Sequence, residues 1–164
     1  MIVVVFGAAG VGKTTIGKLL ANELGWKFYE GDEFHPAANV EKMKKGVPLN
    51  DQDRQPWLES LRARIRECLA AREDAVLACS ALKRKYRDLL RVNSDVRFVY
   101  LRGNREIVLE RLKQRRGHFF NPNLLDSQFA DLEEPGADEV VLTVDAQSDP
   151  EQLVMKIVRS LRHS

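Results

Sequence analysis

The sequence has few cysteines, no long apolar run and almost no net charge. Its two cysteines, Cys68 and Cys79, are too few for a disulfide framework and lack the spacing of a metal site, so we expect two reduced thiols in the core. No apolar run approaches the about 20 residues that a membrane-spanning helix needs, and the apolar start at residues 1–6 is too short for a signal peptide. These absences predict a cytoplasmic protein that has no membrane partner.

The balance of charges argues against a nucleic-acid partner. Lys and Arg number 26, Asp and Glu number 24, and the chain lacks aromatic residues interleaved with basic ones for base stacking. RNA binding through the basic segment at residues 84–91 is a remote alternative. The chain has no internal repeat, low-complexity tract or linker, so its 164 residues predict a single domain, 1–164.

Apolar strands and amphipathic helices alternate along the chain. Continuous apolar runs predict strands that are buried on both faces of a sheet, and apolar residues at helical spacing fill the intervals. The predicted strands are 2–6, 27–29, 75–79, 96–101 and 140–144. The predicted helices with both bounds are 12–24, 39–45, 83–91, 105–116 and 123–132. Two more helices are predicted, one that ends near 72 and one that begins at 150. This alternation predicts an α/β fold in three layers, in which a five-stranded parallel sheet lies between helices and ligands bind at the carboxyl ends of the strands.

A phosphate-binding loop, or P-loop, follows the first predicted strand. Residues 7–14 fit the pattern G-x-x-x-x-G-K-[ST] and open a helix. The glycines let successive backbone N–H groups turn toward phosphate oxygens, and the helix N-terminus adds the positive end of its dipole. We expect Lys13 to reach the β- and γ-phosphates of ATP and the Thr14 hydroxyl to bind Mg²⁺. The predicted nucleotide-binding residues of this segment are Gly7, Ala8, Ala9, Gly10, Val11, Gly12, Lys13, Thr14 and Thr15.

The tip of the second predicted strand supplies a candidate catalytic base. In a parallel sheet of this kind the tip lies beside the P-loop, where the Asp32 carboxylate could accept a hydroxyl proton and orient the attacking oxygen. The alternative is that Asp32 caps a helix or a turn. His35 is a candidate to hydrogen-bond substrate hydroxyls, or else a turn residue packed against Phe34.

Three basic residues are candidates for an anion site. Arg54 lies among acidic residues at a helix start, where the helix dipole disfavours a cation. It therefore faces either an anionic ligand or one of its neighbours Asp51 and Asp53. Lys83 and Arg87 lie four residues apart and share a helix face. They form an anion site if that face turns toward the crevice, and they are surface charges if it turns toward solvent.

Two arginines followed by a glycine predict a lid. Arg111 and Arg115 lie four residues apart on a predicted helix, and paired arginines that reach the γ-phosphate can stabilise its charge. Gly117 then permits a hinge, and a loop that closes over the site excludes water and prevents wasteful hydrolysis of ATP. We place this lid at about 116–123.

Together these motifs resemble the gluconate kinases (gluconokinases), a family of P-loop small-molecule kinases. The P-loop is shared by many families, whereas the His-Pro, Cys-Ser-Ala-Leu-Lys and Gly-His-Phe-Phe stretches in this order are far more specific. The resemblance covers nearly the whole chain. The matching stretches are 7–14, 31–36, 39–43, 48–51, 53–54 with 56–58, 79–83 with 86–87, 111–115, 117–120, 124–125 with 127–129, and 132–139.

The resemblance implies that the chain uses ATP and Mg²⁺ to phosphorylate the 6-hydroxyl of D-gluconate. It also implies a fold similar to shikimate and nucleoside monophosphate kinases, an acceptor-binding helical insertion at about 33–60, and commonly a homodimer. The implied catalytic residues are Lys13, Asp32, Arg111 and Arg115, of which the two arginines also contact the nucleotide, and the implied metal ligand is Thr14. The implied gluconate contacts are Asp32, His35, Arg54, Ser80, Lys83, Arg87, His118 and Gln128. Residues 145–147 are expected near adenine.

Two other functions are open on the sequence alone. A kinase of the same fold that acts on shikimate or a nucleoside monophosphate would share the P-loop and the lid. A nucleotide-binding switch would keep the P-loop but would need neither an acceptor cavity nor Asp32. A panel of acceptors separates the first alternative from a gluconate kinase, and replacement of Asp32 by Asn separates the second.

Overall fold

Five parallel strands form the centre of the protein, in a computed structural model that describes residues 1–114 and 122–163. The strands are β1 (Ile2–Phe6), β2 (Lys27–Glu30), β3 (Ala75–Cys79), β4 (Val96–Arg102) and β5 (Leu142–Asp145). The helices are α1 (Lys13–Leu24), α2 (Ala37–Lys44), α3 (Asp51–Ala70), α4 (Arg84–Leu90), α5 (Arg105–Gln114), α6 (Pro122–Asp131) and α7 (Pro150–Arg162). The predicted alternation of strands and helices is confirmed, and a short 3-10 helix at Gly31–Phe34 adds an element that the sequence pattern did not indicate.

The order of the strands places the crevice at the carboxyl end of β1. The sheet runs β2-β3-β1-β4-β5, so the chain builds one side of β1 with β2 and β3 and then crosses to the other side with β4 and β5. Phe6 lies opposite Cys79 and Tyr100, and Glu30 lies opposite Ala78. The first three strands therefore end at one edge of the sheet, and the segments that follow them meet there.

Helices cover both faces of the sheet, which gives the three predicted layers. Val3 and Val5 point to one face and belong to a buried cluster with residues of α1 and α7. Val4 and Phe6 point to the other face and pack in a second cluster with α3 and α4. A strand buried on both faces has no polar side to alternate with, which explains why β1 is continuously apolar.

Strand β5 begins at Leu142, two residues later than the apolar run predicted. Val140 is 78% exposed, and the residue before it, Glu139, is held by Arg87 of α4. The chain therefore joins β4 only from Val99 onward. A long-range ion pair therefore lies immediately before the point where the apolar run predicted the strand to begin.

The part of the chain that the structure describes contains no disulfide and no helix long and apolar enough to cross a membrane. Cys68 and Cys79 are both free and buried, so the expectation of two core thiols is confirmed. Cys79 lies at the end of β3, where burial raises the pKa of its thiol to about 12.

Candidate active site

The loop between β1 and α1 has the shape of a phosphate cradle. Gly10 and Gly12 adopt positive φ angles of 79° and 103°, which side chains disfavour. Lys13 folds back over the loop, and its Nζ donates to the carbonyl oxygens of Gly7 at 2.8 Å and Ala8 at 3.1 Å. The ammonium group therefore lies against the loop that precedes the N-terminus of α1, and a cation beside a helix N-terminus suits the binding of phosphate.

Lys13 lies close to the predicted catalytic base. Burial lowers the pKa of the Lys13 ammonium, and the negative charge of Asp32 opposes that shift. The hydrogen bond between Thr14 at the start of α1 and Glu30 at the end of β2 brings the tip of β2 beside the P-loop, as the sheet topology predicted.

A cluster of oxygen atoms stands next to Lys13. The Thr14 hydroxyl donates a hydrogen bond to the Glu30 carboxylate, whose other oxygen accepts from the backbone N–H of Asp32 at 3.5 Å. Among the described residues no group of three or more His, Cys, Asp and Glu could hold a metal ion. Hydroxyl and carboxylate oxygens are nevertheless the ligands that Mg²⁺ takes together with substrate phosphates.

Close packing against β3 fixes the position of Asp32. The preceding Gly31 has no space for a side chain, because a Cβ atom there would lie 2.5 Å from the carbonyl oxygen of Ala78. The indole Nε1 of Trp57 donates to the carbonyl of Gly31 at 2.8 Å. Glu30, rather than Asp32, caps the short 3-10 helix, so the alternative role of Asp32 as a cap is wrong.

A cavity of about 370 Å³ lies beside the P-loop, and we call it the His35 cavity. It is lined by Ala9, Asp32, His35, Val40, Met43, Lys44, Leu49, Arg54, Trp57, Ser80, Leu124, Ser127 and Gln128. Five of the eight predicted substrate contacts lie on its wall: Asp32, His35, Arg54, Ser80 and Gln128. Their predicted roles in binding stay predictions, but the structure brings the five residues together.

Helix α6 closes one side of the His35 cavity. The side-chain oxygen of Gln128 accepts a hydrogen bond from the backbone N–H of Ala9 at 2.6 Å, which ties α6 to the P-loop. At the end of the same helix, Asp131 accepts from Arg54 of α3 at 3.0 Å. The helix is thus attached to both the phosphate side and the opposite wall of the cavity.

Arg54 is a buried cation with unused donors. It is 7% exposed, and its guanidinium donates to the Tyr86 hydroxyl and to Asp131, each at 3.0 Å. A guanidinium carries five N–H donors, so two hydrogen bonds leave three donors without a partner among the described residues. The expected alternative, an ion pair with Asp51 or Asp53, is wrong because the carboxylate partner is Asp131.

Arg87 does not contact the His35 cavity, and its predicted role in substrate binding is wrong. The side chain is fully buried. Its Nε and one Nη2 hydrogen bind the Glu139 carboxylate at 2.5 and 3.0 Å. Its Nη1 donates to the carbonyls of Ala81 and Leu82, and Nη2 also donates to that of Glu133. All five donors are used within the protein, so none is left for a ligand.

Lys83 also lies outside the wall of the His35 cavity. It precedes α4, and its Nζ pairs with Asp51 at 2.9 Å. Lys85 and the Tyr86 hydroxyl bind the same carboxylate. Hydrogen bonds from Lys85, Tyr86 and Lys83 together hold the pKa of Asp51 well below its usual range. The structure therefore places Lys83 in an ion cluster and not in an anion site that faces the cavity.

A second cavity, of about 420 Å³, adjoins the P-loop next to α5 and the segment after β5. We call it the Arg111 cavity. It is lined by Gly10, Val11, Gly12, Thr15, Ile16, Arg111, Gln114, Ala146, Gln147, Ser148, Asp149 and Pro150. The Arg111 guanidinium donates to the carbonyls of Val11 at 3.3 Å and Ala146 at 3.0 Å. Arg111 therefore lies with the residues expected near adenine and does not line the His35 cavity.

Two cavities that meet at a P-loop are the arrangement of a kinase with a nucleotide side and an acceptor side. A family model described as shikimate kinase matches residues 9–162 of the chain. The gluconokinase of Gluconobacter oxydans (strain 621H) is 46% identical over 157 residues, which cover 95% of this chain and 88% of that relative. The chain belongs to the gluconokinase family.

A solved structure agrees with this membership in the gluconokinase family. The crystal structure of a gluconokinase from Sinorhizobium meliloti 1021 has a TM-score of 0.87 and 39% identity, and the match covers 98% of this chain and 91% of that one. A shikimate kinase from Aquifex aeolicus vf5 has a TM-score of 0.62 at 19% identity, over 99% of this chain and 97% of that one, which shows the fold alone. The predicted P-loop kinase fold is confirmed.

Several residues at this gluconokinase-family site were missed by the sequence analysis. Val40, Met43 and Lys44 line the His35 cavity from α2. Their spacing of three and four residues puts them on one face of a helix, which is a signal that was present in the sequence. Glu30, which binds Thr14, was not among the predicted site residues.

The predicted lid of the gluconokinase-family chain falls largely outside the described residues. Arg115, His118 and Gly117 all lie there, so their predicted roles in nucleotide binding, substrate binding and hinge motion stay predictions. The predicted insertion at 33–60 corresponds to the end of the 3-10 helix, α2 and the first half of α3. It contributes His35, Arg54 and the α2 face to the His35 cavity.

Proposed function

We propose that this protein transfers the γ-phosphoryl group of Mg-ATP to the 6-hydroxyl of D-gluconate and releases ADP and 6-phospho-D-gluconate. The observation that carries the proposal is the content of the His35 cavity. It borders the P-loop at Ala9 and has a carboxylate, Asp32, and a buried cation with unused donors, Arg54, on its wall. A sugar acid offers a hydroxyl group to Asp32 and a carboxylate to Arg54.

Phosphoryl transfer depends mainly on positioning and charge stabilisation. In our proposal the phosphates lie in the P-loop under the Lys13 ammonium, and the nucleoside occupies the Arg111 cavity. The proton of the attacking hydroxyl leaves toward the Asp32 carboxylate as the new P–O bond forms.

The residues at the end of β2 fit a magnesium ion. Thr14 Oγ1 and the Glu30 carboxylate are hard oxygen ligands that lie beside the phosphate cradle. Magnesium bound with the nucleotide neutralises charge on the β- and γ-phosphates. The Thr14 hydroxyl and the Glu30 carboxylate, which bind each other in this structure, would hold the ion or its water ligands.

The remainder of the His35 cavity suits a polyhydroxy acid. Arg54 offers up to three N–H donors to the gluconate carboxylate, and it is the one buried cation among the described residues of the wall. His35, Ser80 and Gln128 supply polar groups for the hydroxyls. A volume of about 370 Å³ lies within the ordinary range of small-molecule sites.

The oligomeric state and the cellular location of the enzyme follow from the resemblance and are proposals as well. We propose a single-domain enzyme that works in the cytoplasm as a homodimer, with a lid at 116–123 that brings Arg115 and His118 to the bound substrates. Two free thiols and a need for ATP are consistent with a reducing, nucleotide-rich compartment. Light scattering on the purified protein tests the dimer.

The second candidate acceptor is shikimate, because the family model that matches residues 9–162 is that of shikimate kinase. Shikimate is also a hydroxylated carboxylic acid, so the pairing of Asp32 with Arg54 does not by itself distinguish the two substrates. The relatives from Gluconobacter oxydans and Escherichia coli, at 46% and 42% identity, carry the name gluconokinase, which favours gluconate.

A panel of acceptors tests the proposal. Purified protein is incubated with ATP and Mg²⁺ and with gluconate, other sugar acids, glycerate, shikimate or nucleoside monophosphates, and ADP release and product mass are measured. We expect ADP release to depend strongly on gluconate and the product to be its 6-phosphate. The Lys13→Ala variant, purified in parallel, reports any contaminating kinase. Turnover on another acceptor would reassign the substrate. No ADP release with any acceptor in the panel would favour a nucleotide-binding switch.

A further inference from the structure

Asn39 is a buried amide that contacts His35 in the wall of the His35 cavity. It is 3% exposed, although asparagine is usually a surface residue. Its side-chain nitrogen donates to the backbone carbonyl of Asp53 at 2.7 Å and lies 3.2 Å from the Nδ1 atom of His35. A carbonyl oxygen only accepts hydrogen bonds, so the Asp53 carbonyl requires the amide nitrogen, and not the amide oxygen, at this position.

The orientation of Asn39 determines where the imidazole proton resides. The amide nitrogen carries two hydrogens. One binds the Asp53 carbonyl, and the other is directed at His35 Nδ1, which must therefore offer a lone pair. A neutral imidazole has one N–H and one lone pair, so the proton of His35 lies on Nε2. Nε2 has no partner among the described residues.

The ring is held by stacking as well as by the amide. The imidazole of His35 lies on the indole of Trp57 with a centroid distance of 4.4 Å and an interplanar angle of 11°. Trp57 is itself fixed by its hydrogen bond to the Gly31 carbonyl. Rotation of the ring by 180°, which exchanges nitrogen and carbon positions, keeps the stacking but puts a carbon atom in place of Nδ1 at the Asn39 amide, so the hydrogen bond is lost. The ring is therefore presented to the cavity in one orientation.

The surroundings also disfavour a charged imidazole. Burial lowers the pKa of His35; of the charged groups that face it, Asp32 of the 3-10 helix raises the pKa and Arg54 of α3 lowers it. A proton on Nδ1 would in addition point at the N–H of Asn39, which is a contact between two donors.

We propose that Asn39 is a positioning residue that holds His35 as the neutral Nε2–H tautomer, so that the cavity offers a fixed hydrogen-bond donor to an oxygen of the acceptor. The tautomer rests on the contacts alone, and only the identity of the bound oxygen rests on the proposed function. His35 has no free lone pair in this state and cannot take the hydroxyl proton, which leaves Asp32 as the proton acceptor among the described residues of the wall.

Long-range ¹H–¹⁵N NMR of the imidazole rings tests the tautomer directly in the ligand-free protein. The chain has three histidines, and the His35→Gln variant identifies the His35 signals by their loss. We expect a protonated Nε2 and an unprotonated Nδ1 at neutral pH, and a shift of the Nε2 signal when gluconate is added. A protonated Nδ1, or two protonated nitrogens, would overturn the proposal whatever the substrate is. Absence of the gluconate shift, in protein that phosphorylates gluconate, would overturn the donor role alone.

Two pairs of variants test the positioning role. Asn39→Asp replaces the donor by an acceptor, so we expect the His35 proton to move to Nδ1, whereas Asn22→Asp, on the exposed side of α1, leaves the tautomer unchanged. If Asn39→Asp fails to fold, the wild-type spectrum still shows which nitrogen of His35 carries the proton.

The second pair of variants changes His35 itself. His35→Gln keeps an N–H donor near the place of Nε2, but the shorter His35→Asn does not. We expect His35→Asn to raise the KM for gluconate about three- to ten-fold above that of His35→Gln, the effect of one hydrogen bond, and equal KM values would contradict the proposal.

Discussion

Arg87 and Glu139 form a bidentate ion pair in the interior of the protein. Their atoms lie 2.5 Å apart at Nε–Oε2 and 3.0 Å apart at Nη2–Oε1, and neither side chain is exposed to solvent by more than 2%. The pair joins α4 to the segment that runs from α6 to β5. It is a structural contact, because neither residue lines the His35 cavity or the Arg111 cavity.

Glu139→Gln should therefore lower stability without a direct effect on substrate binding. The variant leaves the Arg87 charge buried and without its counter-ion, which costs about 3–5 kcal/mol of the free energy of unfolding. Urea denaturation measures this loss. Asp138→Asn is the control, because the Asp138–Arg84 pair next to it is exposed and should contribute nothing measurable. Equal stability of the two variants would contradict the structural role of the buried pair.

Asp32→Asn should abolish phosphoryl transfer but spare ATP binding. The amide cannot accept the hydroxyl proton, so we expect kcat to fall by about a hundred-fold or more. Fluorescence titration with a nucleotide analogue should give an unchanged Kd. Glu33→Gln, which changes the exposed neighbouring carboxylate, serves as the control and should keep normal kcat. Unchanged turnover of Asp32→Asn would remove Asp32 from the mechanism.

Arg54→Gln should raise the KM for gluconate and leave the KM for ATP unchanged. A hydrogen bond to a charged group contributes enough that its loss weakens binding by about ten- to a hundred-fold. Lys83→Gln removes a cation that is paired with Asp51 outside the cavity, so its KM for gluconate should stay close to the wild-type value. If the two variants show equal defects, or if Lys83→Gln shows the larger one, the assignment of the carboxylate to Arg54 is wrong.

Lys44→Gln should weaken gluconate binding modestly and in a salt-dependent way. Lys44 is an exposed cation on the rim of the His35 cavity, so its attraction for an anion is partly screened. We expect the KM for gluconate to rise about two- to five-fold at low salt, and the difference from wild type to vanish at high salt. Lys45→Gln, at the next residue, provides the comparison, since Lys45 pairs with Glu41 and does not line the cavity.

Acidification should destabilise the protein through His35. Its pKa is lowered in the folded state, so the unfolded chain takes up the proton first as the pH falls below the ordinary value of 6.5. The stabilisation is complete above pH 6.5 and is lost as the pH falls through the folded-state pKa. Denaturation between pH 7.5 and about 5.5 should show a steeper loss for wild type than for His35→Gln. His163→Gln, at an exposed histidine, should follow wild type, and parallel curves for all three proteins would refute the expectation.

The sequence by itself determined the features that depend on local interactions. The P-loop could be read from residues 7–14 because its glycines, its lysine and the following helix are contiguous. The strand 75–79 was predicted at its observed bounds, since a strand buried on both faces is continuously apolar. The start of α7 was predicted at its observed residue, 150, because the interaction that caps it is local: Asp149 accepts from the N–H group of Gln152, three residues away.

Only the tertiary structure decided what each buried charge does. Arg87 and Arg54 were equal candidates for an anion site in the sequence, yet Arg87 is bound by a residue 52 positions away and Arg54 by one 77 positions away. Helical spacing predicted Lys83 and Arg87 on one helix face, but it does not show what that face contacts. Burial of a charge depends on partners that come together only when the chain folds, so local pattern identifies the candidates and packing selects among them.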